Sequence, residues 1–235
     1  MQKRKFGVTL LAGLLVALGV GQVAVAGVIT PNPGLPPDTG AYLTAQQVHA
    51  LYPTGVYPEV ILENILHSGF FDVLITPLPG GDELEEFQST LQGNATVGGI
   101  PVGPISLQGP VQVITQGKTG NTTGTFQTEM ISMSLSGNVG GFPVQVRESP
   151  AQPSTGQTTI TDIGGGLFQI DSFFDVFTEI SIDQGAGFGP FVPAQGSVRV
   201  DLGIPGSIIP EPSTFALAAL GVLSLGMIGW RRRRR

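Results

Sequence analysis

The 235-residue sequence contains no cysteine, one tryptophan and two histidines, and only 12% of its residues are charged. Without cysteine there is no disulfide framework, no zinc ribbon and no thiol nucleophile. The histidines, His49 and His67, form neither an HExxH nor an HxH arrangement, so no zinc-site spacing is present and structural or surface roles are expected. No Gly-x-Ser-x-Gly elbow marks a serine nucleophile. Gly164-Gly165-Gly166 precedes a strand pattern and lacks the helix and lysine of a phosphate loop.

Basic residues are scarce in the body of the chain. Between positions 27 and 209 only Lys118, Arg147 and Arg199 stand against sixteen acidic residues, a net charge of −13. Such a surface repels phosphate backbones, so no nucleic-acid partner is expected. The other eight basic residues lie at the ends: Lys3, Arg4, Lys5 and Arg231 to Arg235.

Those ends read as addressing. Lys3, Arg4 and Lys5 precede an apolar stretch from Phe6 to Val20, and Ala24-Val25-Ala26 presents the small side chains that signal peptidase requires. Residues 1–26 are therefore expected to be a signal peptide, with the mature chain starting at Gly27. At the other end, residues 214–230, from Thr214 to Trp230, carry no charge. A helix of that length spans roughly 26 Å, at the short end for a membrane crossing. Trp230 suits the interface, and Arg231, Arg232, Arg233, Arg234 and Arg235 are too costly to translocate, so they are expected on the cytoplasmic side.

Immediately before this segment stand Pro210, Glu211 and Pro212. The tripeptide, the short apolar span and the terminal arginine cluster, in that order over residues 210–235, resemble the PEP-CTERM sorting signal of bacteria that make exopolysaccharide. The resemblance implies a transient inner-membrane anchor, processing of the tail by a membrane-embedded exosortase, and release to the cell surface or extracellular matrix. In that family the preceding residue is commonly valine; here it is Ile209. An ordinary single-span anchor is the alternative, but it leaves the proline pair and glutamate unexplained.

Between the ends, residues 27–40 are rich in proline and glycine and read as a flexible linker. Residues 41–209 are expected to form one β-rich extracytoplasmic domain. Thr44 is positioned to cap a short helix over TAQQVHALY, ended by Pro53. PEVILENILHSGF, from Pro58, fits helix and strand spacing almost equally and is assigned to strand because the residues downstream of it alternate.

Alternation dominates from there. Val111 and Val113, then Ile131, Met133 and Leu135, then Val144 and Val146, then Val198, Val200 and Leu202 each share a face. GLFQIDSFFDVFTEISID places Phe168, Ile170, Phe174, Val176, Ile180 and Ile182 on one side, and its length predicts a bend or bulge. A near-repeat, LQGNATVGGIPV from Leu91 and LSGNVGGFPV from Leu135, suggests two copies of a hairpin-sized unit. These signals predict a mainly β fold: an antiparallel β-sandwich or barrel-like ectodomain, with a signal peptide and a C-terminal transmembrane helix.

Candidate chemistry is confined to carboxylates. Asp82-Glu83-Leu84-Glu85-Glu86 reads as a solvated acidic turn, and Asp171, Asp175, Glu179 and Asp183 read as the wet face of a sheet. Neither has the ligand pattern of a calcium loop, so no cofactor is expected, Ca²⁺ being the one weak candidate. Asn94 and Asn121 occupy glycosylation sequons. The expected role is non-catalytic: an exported structural, adhesive or exopolysaccharide-associated protein whose processing partners are signal peptidase and an exosortase. The alternatives are a secreted polysaccharide hydrolase using carboxylates such as Glu85 or Asp175, and a calcium-dependent binding module.

Overall fold

In a computed structural model of the chain the residues described are 27–44, 50–53 and 55–205, and among them the backbone forms thirteen strands and no helix. They are β1 (Val28–Thr30), β2 (Ala41–Thr44), β3 (Ala50–Tyr52), β4 (Val60–Pro77), β5 (Glu83–Val97), β6 (Ile100–Thr115), β7 (Gly124–Val139), β8 (Phe142–Glu148), β9 (Ser154–Gly164), β10 (Leu167–Val176), β11 (Thr178–Ile182), β12 (Val192–Pro193) and β13 (Val198–Gly203).

Every pairing is antiparallel. Strands β4 to β7 form a meander; the first half of β7 pairs with β9, β9 with β10, β10 with β13, β13 with β2, and β2 with β4. Those eight strands close a barrel. Of the two architectures predicted, the barrel is the one formed. Closure leaves no free edge along the ring, the usual solution to unpaired backbone groups.

The remaining strands extend the wall. The second half of β7 pairs with β8, β8 with β11 and β11 with β12, while β3 joins β4 at Val60–Leu62. The two flanks meet where Gln195 donates its N–H to the Leu51 carbonyl at 2.9 Å and Tyr52 Oη lies 2.8 Å from Thr178 Oγ1.

A bulge explains how β7 serves two neighbours. Ser132 pairs with Gln112 and Met130 with Val113, so Ile131 has no partner and its side chain is thrown outward, 40% exposed. This corrects the expectation that Ile131 shares a face with Met133 and Leu135: one inserted residue reverses the alternation. β4 bends similarly at Asn64 (φ 52°), Gly69 (φ 65°) and Asp72 (φ 53°), each at a shift in its register with β5. The bend or bulge predicted from the length of the Gly166–Asp183 stretch falls at Phe177 and is a full change of neighbours, since β10 pairs with β9 and β13 whereas β11 pairs with β8 and β12.

The near-repeat folds as two matched hairpins. Val97 faces Ile100 across Gly98-Gly99, and Val139 faces Phe142 across Gly140-Gly141, with all four glycines at positive φ. Two-residue turns of this kind follow the right-handed twist of their strands and require left-handed backbone at both positions. Leu91 and Leu135, at equivalent places in the two copies, are both buried.

Three other expectations are corrected. Residues 27–40 are not a linker throughout: Val28 and Thr30 are buried in β1, which pairs with β10, and Leu35 enters the core. The helix at TAQQVHALY gives way to strand at both described ends, because Ala50 and Tyr52 bury on either side of Leu51 against β4; residues 45–49 lie outside the described residues. Of the Asp82–Glu86 run, Glu83 to Glu86 are the start of β5 and only Asp82 precedes it; Glu85 points inward and is 3% exposed.

Candidate functional site

Period-two alternation sends a set of polar side chains into the barrel with the apolar ones. On β5 the inward positions read Glu85, Phe87, Ser89, Leu91; Tyr42 enters from β2, His67 from β4, Thr115 from β6, Thr128 from β7, Thr158 from β9 and Ser172 from β10. All are buried. Buried polar groups persist only when hydrogen-bonded, and nearly all of these are. Thr115 Oγ1 donates to Glu85 Oε1 at 2.6 Å, His67 Nε2 and Ser89 Oγ are 2.6 Å apart, and Ser172 Oγ lies 3.0 Å from Tyr42 Oη and 2.7 Å from Thr158 Oγ1. Only Thr128 Oγ1 lacks a protein partner among the buried side-chain atoms described.

Thr128, His67, Tyr42 and Glu85 border a cavity of about 20 Å³ beneath Leu35 and Pro36. That is space for about one water molecule, and a water there would satisfy the Thr128 hydroxyl. A second cavity of about 40 Å³, lined mostly by apolar residues such as Leu62, Met133 and Val176, also touches His67 and Met130.

Burial governs the protonation states. It pushes the Glu85 carboxyl up to about 7, aided by nearby Glu83 and opposed by the Thr115 hydrogen bond and by Lys118. It pushes the His67 imidazole down to about 4. The Tyr42 phenol is held above its ordinary range by the same desolvation, against its contact with Ser172. At neutral pH, then, His67 and Tyr42 are uncharged and Glu85 is poised between its two forms. The group is chemically capable of moving a proton, but the cavity that Glu85, Tyr42 and Thr128 border is only about 20 Å³.

The other carboxylates suggested by the sequence are on the opposite side of the wall. Asp175 sits between inward Phe174 and Val176 and therefore faces out, 3.8 Å from Arg199 Nη1. Glu85 and Asp175 do not face each other across a cleft. The acidic row is engaged by the protein itself, and Glu179 departs from the expected wet face: it is buried, 8% exposed, and accepts from Arg147 Nε and Nη2 at 2.9 and 2.6 Å, while half-buried Asp171 accepts from the Gly27 N–H and Gln169 Nε2. Asp183 Oδ1 caps the N–H groups of Gly185 and Gly187. Arg147 also stacks 3.8 Å from the centre of the Phe191 ring. Among the described residues no group of three or more acidic, histidine or cysteine side chains is placed to hold a metal ion.

Asn94 lies within β5 opposite Pro104, and Asn121 in the β6–β7 connection donates its Nδ2 to the Gly117 carbonyl. His49, the cleavage residues Ala24 and Ala26, the tripeptide Pro210-Glu211-Pro212, and Trp230 with Arg231 to Arg235 lie outside the described residues. The interior set was only partly anticipated. Its signal was present in the alternation of Glu85 and Ser89 with Phe87 and Leu91, which places all four on one face.

Among the described residues the polar interior borders cavities of about 20 and 40 Å³. Residues 209–235 match the PEP-CTERM protein-sorting motif. The chain carries an exosortase sorting signal. This motif supports export, membrane anchoring before processing, and processing by an exosortase. No curated protein and no solved structure matches the chain. The PEP-CTERM match accounts for the proline-flanked glutamate that an ordinary anchor leaves unexplained.

Proposed function

We propose that the exported barrel acts at the cell surface or in the extracellular matrix as a non-catalytic structural or adhesive protein associated with exopolysaccharide. The observation that carries this reading is the filled interior. Glu85, the most perturbed carboxylate described, has beside it a cavity of about 20 Å³, far below the pocket size of a small-molecule site. A glycosidase needs two carboxyl groups on either side of a bound sugar ring; Glu85 faces inward while Asp175 faces out. The reading calls for no cofactor. Signal peptidase acts first and an exosortase second.

The test uses protein recovered from the cell surface and exopolysaccharide from the same cells. The protein should sediment with the polysaccharide and release no new reducing ends. Release of reducing ends that disappears in Glu85→Gln would overturn the non-catalytic reading, and failure to co-sediment would overturn the polysaccharide association.

A further inference from the structure

The backbone nitrogen of Gly27 donates to Asp171 Oδ1 at 3.1 Å. One residue later β1 begins its pairing with β10, Val28 opposite Ile170. The seat has no room for a side chain, because a Cβ at position 27 would collide with the Ile170 carbonyl oxygen and the Asp171 carboxylate. Beside it the sheet opens: the β1 pairing with β10 starts at Ile170, the β13 pairing reaches only to Phe173, and a polar pocket of about 140 Å³ lined by Asp171, Asp201, Gln157 and Thr159 lies between.

Charge on this face is unbalanced. Arg199 serves both Asp175, at 3.8 Å, and Asp201, at 3.2 Å. The other two basic residues of the body are paired elsewhere, Lys118 with Glu83 and Arg147 with Glu179. The donors to Asp171 are the neutral N–H of Gly27 and the side-chain amide of Gln169. Gly27 is also the residue that follows Ala24-Val25-Ala26. Hydrolysis of the Ala26–Gly27 bond places the hydroxyl of water on the Ala26 carbonyl carbon and its proton on the Gly27 nitrogen. The amine so formed takes a second proton from solvent, since its ordinary pKa is about 7.7–8.0.

We propose that the Asp171 seat receives the newly cut amino terminus: cleavage converts a neutral donor into an ammonium group, which pairs with the Asp171 carboxylate and fastens β1 to β10. The barrel thereby recognises its own correctly processed end. Glycine at position 27 meets two demands at once, a small residue after the cut and a backbone able to approach Asp171. This inference rests on export with signal removal, and the test separates the two.

Protein recovered from outside the cytoplasm is sequenced from its amino terminus. Its melting temperature is then measured for wild type and Asp171→Asn, each with the α-amine free or selectively acetylated. Acetylation restores a neutral N–H donor and removes only the charge. The first residue should be Gly27, and Asp171→Asn should lower the melting temperature by about 2–4 °C with the amine free and by less than half as much after acetylation. An equal loss in both states would overturn the seat. A different first residue on exported protein would overturn the seat while leaving export intact, whereas protein retained in the cytoplasm would overturn both.

Discussion

Thr115 donates its hydroxyl to Glu85 Oε1 at 2.6 Å in the interior of the barrel, joining β6 to β5 through a carboxyl group that is 3% exposed. This contact holds the most unfavourable group in the core, because a buried carboxylate gives up its hydration and regains only part of it from one hydroxyl.

The first prediction concerns pH. The folded pKa of Glu85 is raised from 4.5 to about 7, so its proton stabilises the fold below pH 4.5 and that stabilisation is lost as pH rises through 7. The loss amounts to about 3 kcal/mol at most. Glu85→Gln should therefore be more stable than wild type at pH 8 in urea unfolding, with the advantage shrinking toward pH 5. An advantage that grows as pH falls would contradict the assignment.

His67 runs the other way. Its pKa is lowered from 6.5 to about 4, so the neutral ring contributes stability that is present above pH 6.5 and lost as pH falls through 4. His67→Gln should flatten the decline of stability with acid relative to wild type, measured as the midpoint difference between pH 7 and pH 4. An unchanged slope would show that His67 is not the titrating group.

Removing the donor should expose the cost of Glu85 directly. Thr115→Val keeps the shape of the side chain but leaves Oε1 without its hydroxyl partner, and the loss is expected to be about 1–3 kcal/mol at pH 8. The same substitution in a Glu85→Gln background should cost less, because a neutral amide is cheaper to leave unpaired than a carboxylate. Equal costs in the two backgrounds would argue against a charged acceptor.

The paired hairpins allow a cleaner backbone test. Gly99 (φ 78°) and Gly141 (φ 88°) have nothing within 4 Å of where a Cβ would stand, so alanine meets no clash and only the left-handed backbone resists it. Each substitution should cost about 1–2 kcal/mol, and the two should be nearly additive in thermal unfolding. A neutral result at either turn would rule out the two-residue geometry there.

How far the sequence reveals this structure depends on what each signal encodes. Alternation showed which sides of Val111 and Val113, Val144 and Val146, and Val198, Val200 and Leu202 face inward, because a strand with one buried face must repeat every second residue. It did not show closure, since the ring is completed through β2, whose pairing with β4 consists of Tyr42 with His67 and Leu43 with Leu66. Such short contacts between distant segments leave no periodic trace. Ile131 was misplaced because a bulge depends on the register of two strands together. Ala50 to Tyr52 fit a helical spacing and became strand where the edge of β4 offered burial. Glu85 was legible by its spacing from Phe87, Ser89 and Leu91, yet its charge suggested water; the interior accepts it through Thr115 and a raised pKa.

Export and processing through the sorting motif is the central claim, and intact-mass measurement of the protein recovered from outside the cell tests it most directly. The account predicts a product that lacks Trp230 and Arg231 to Arg235 in wild type, and a Glu211→Ala variant that keeps them and stays in the membrane fraction. A wild-type surface product still carrying Trp230 and the five arginines would contradict it.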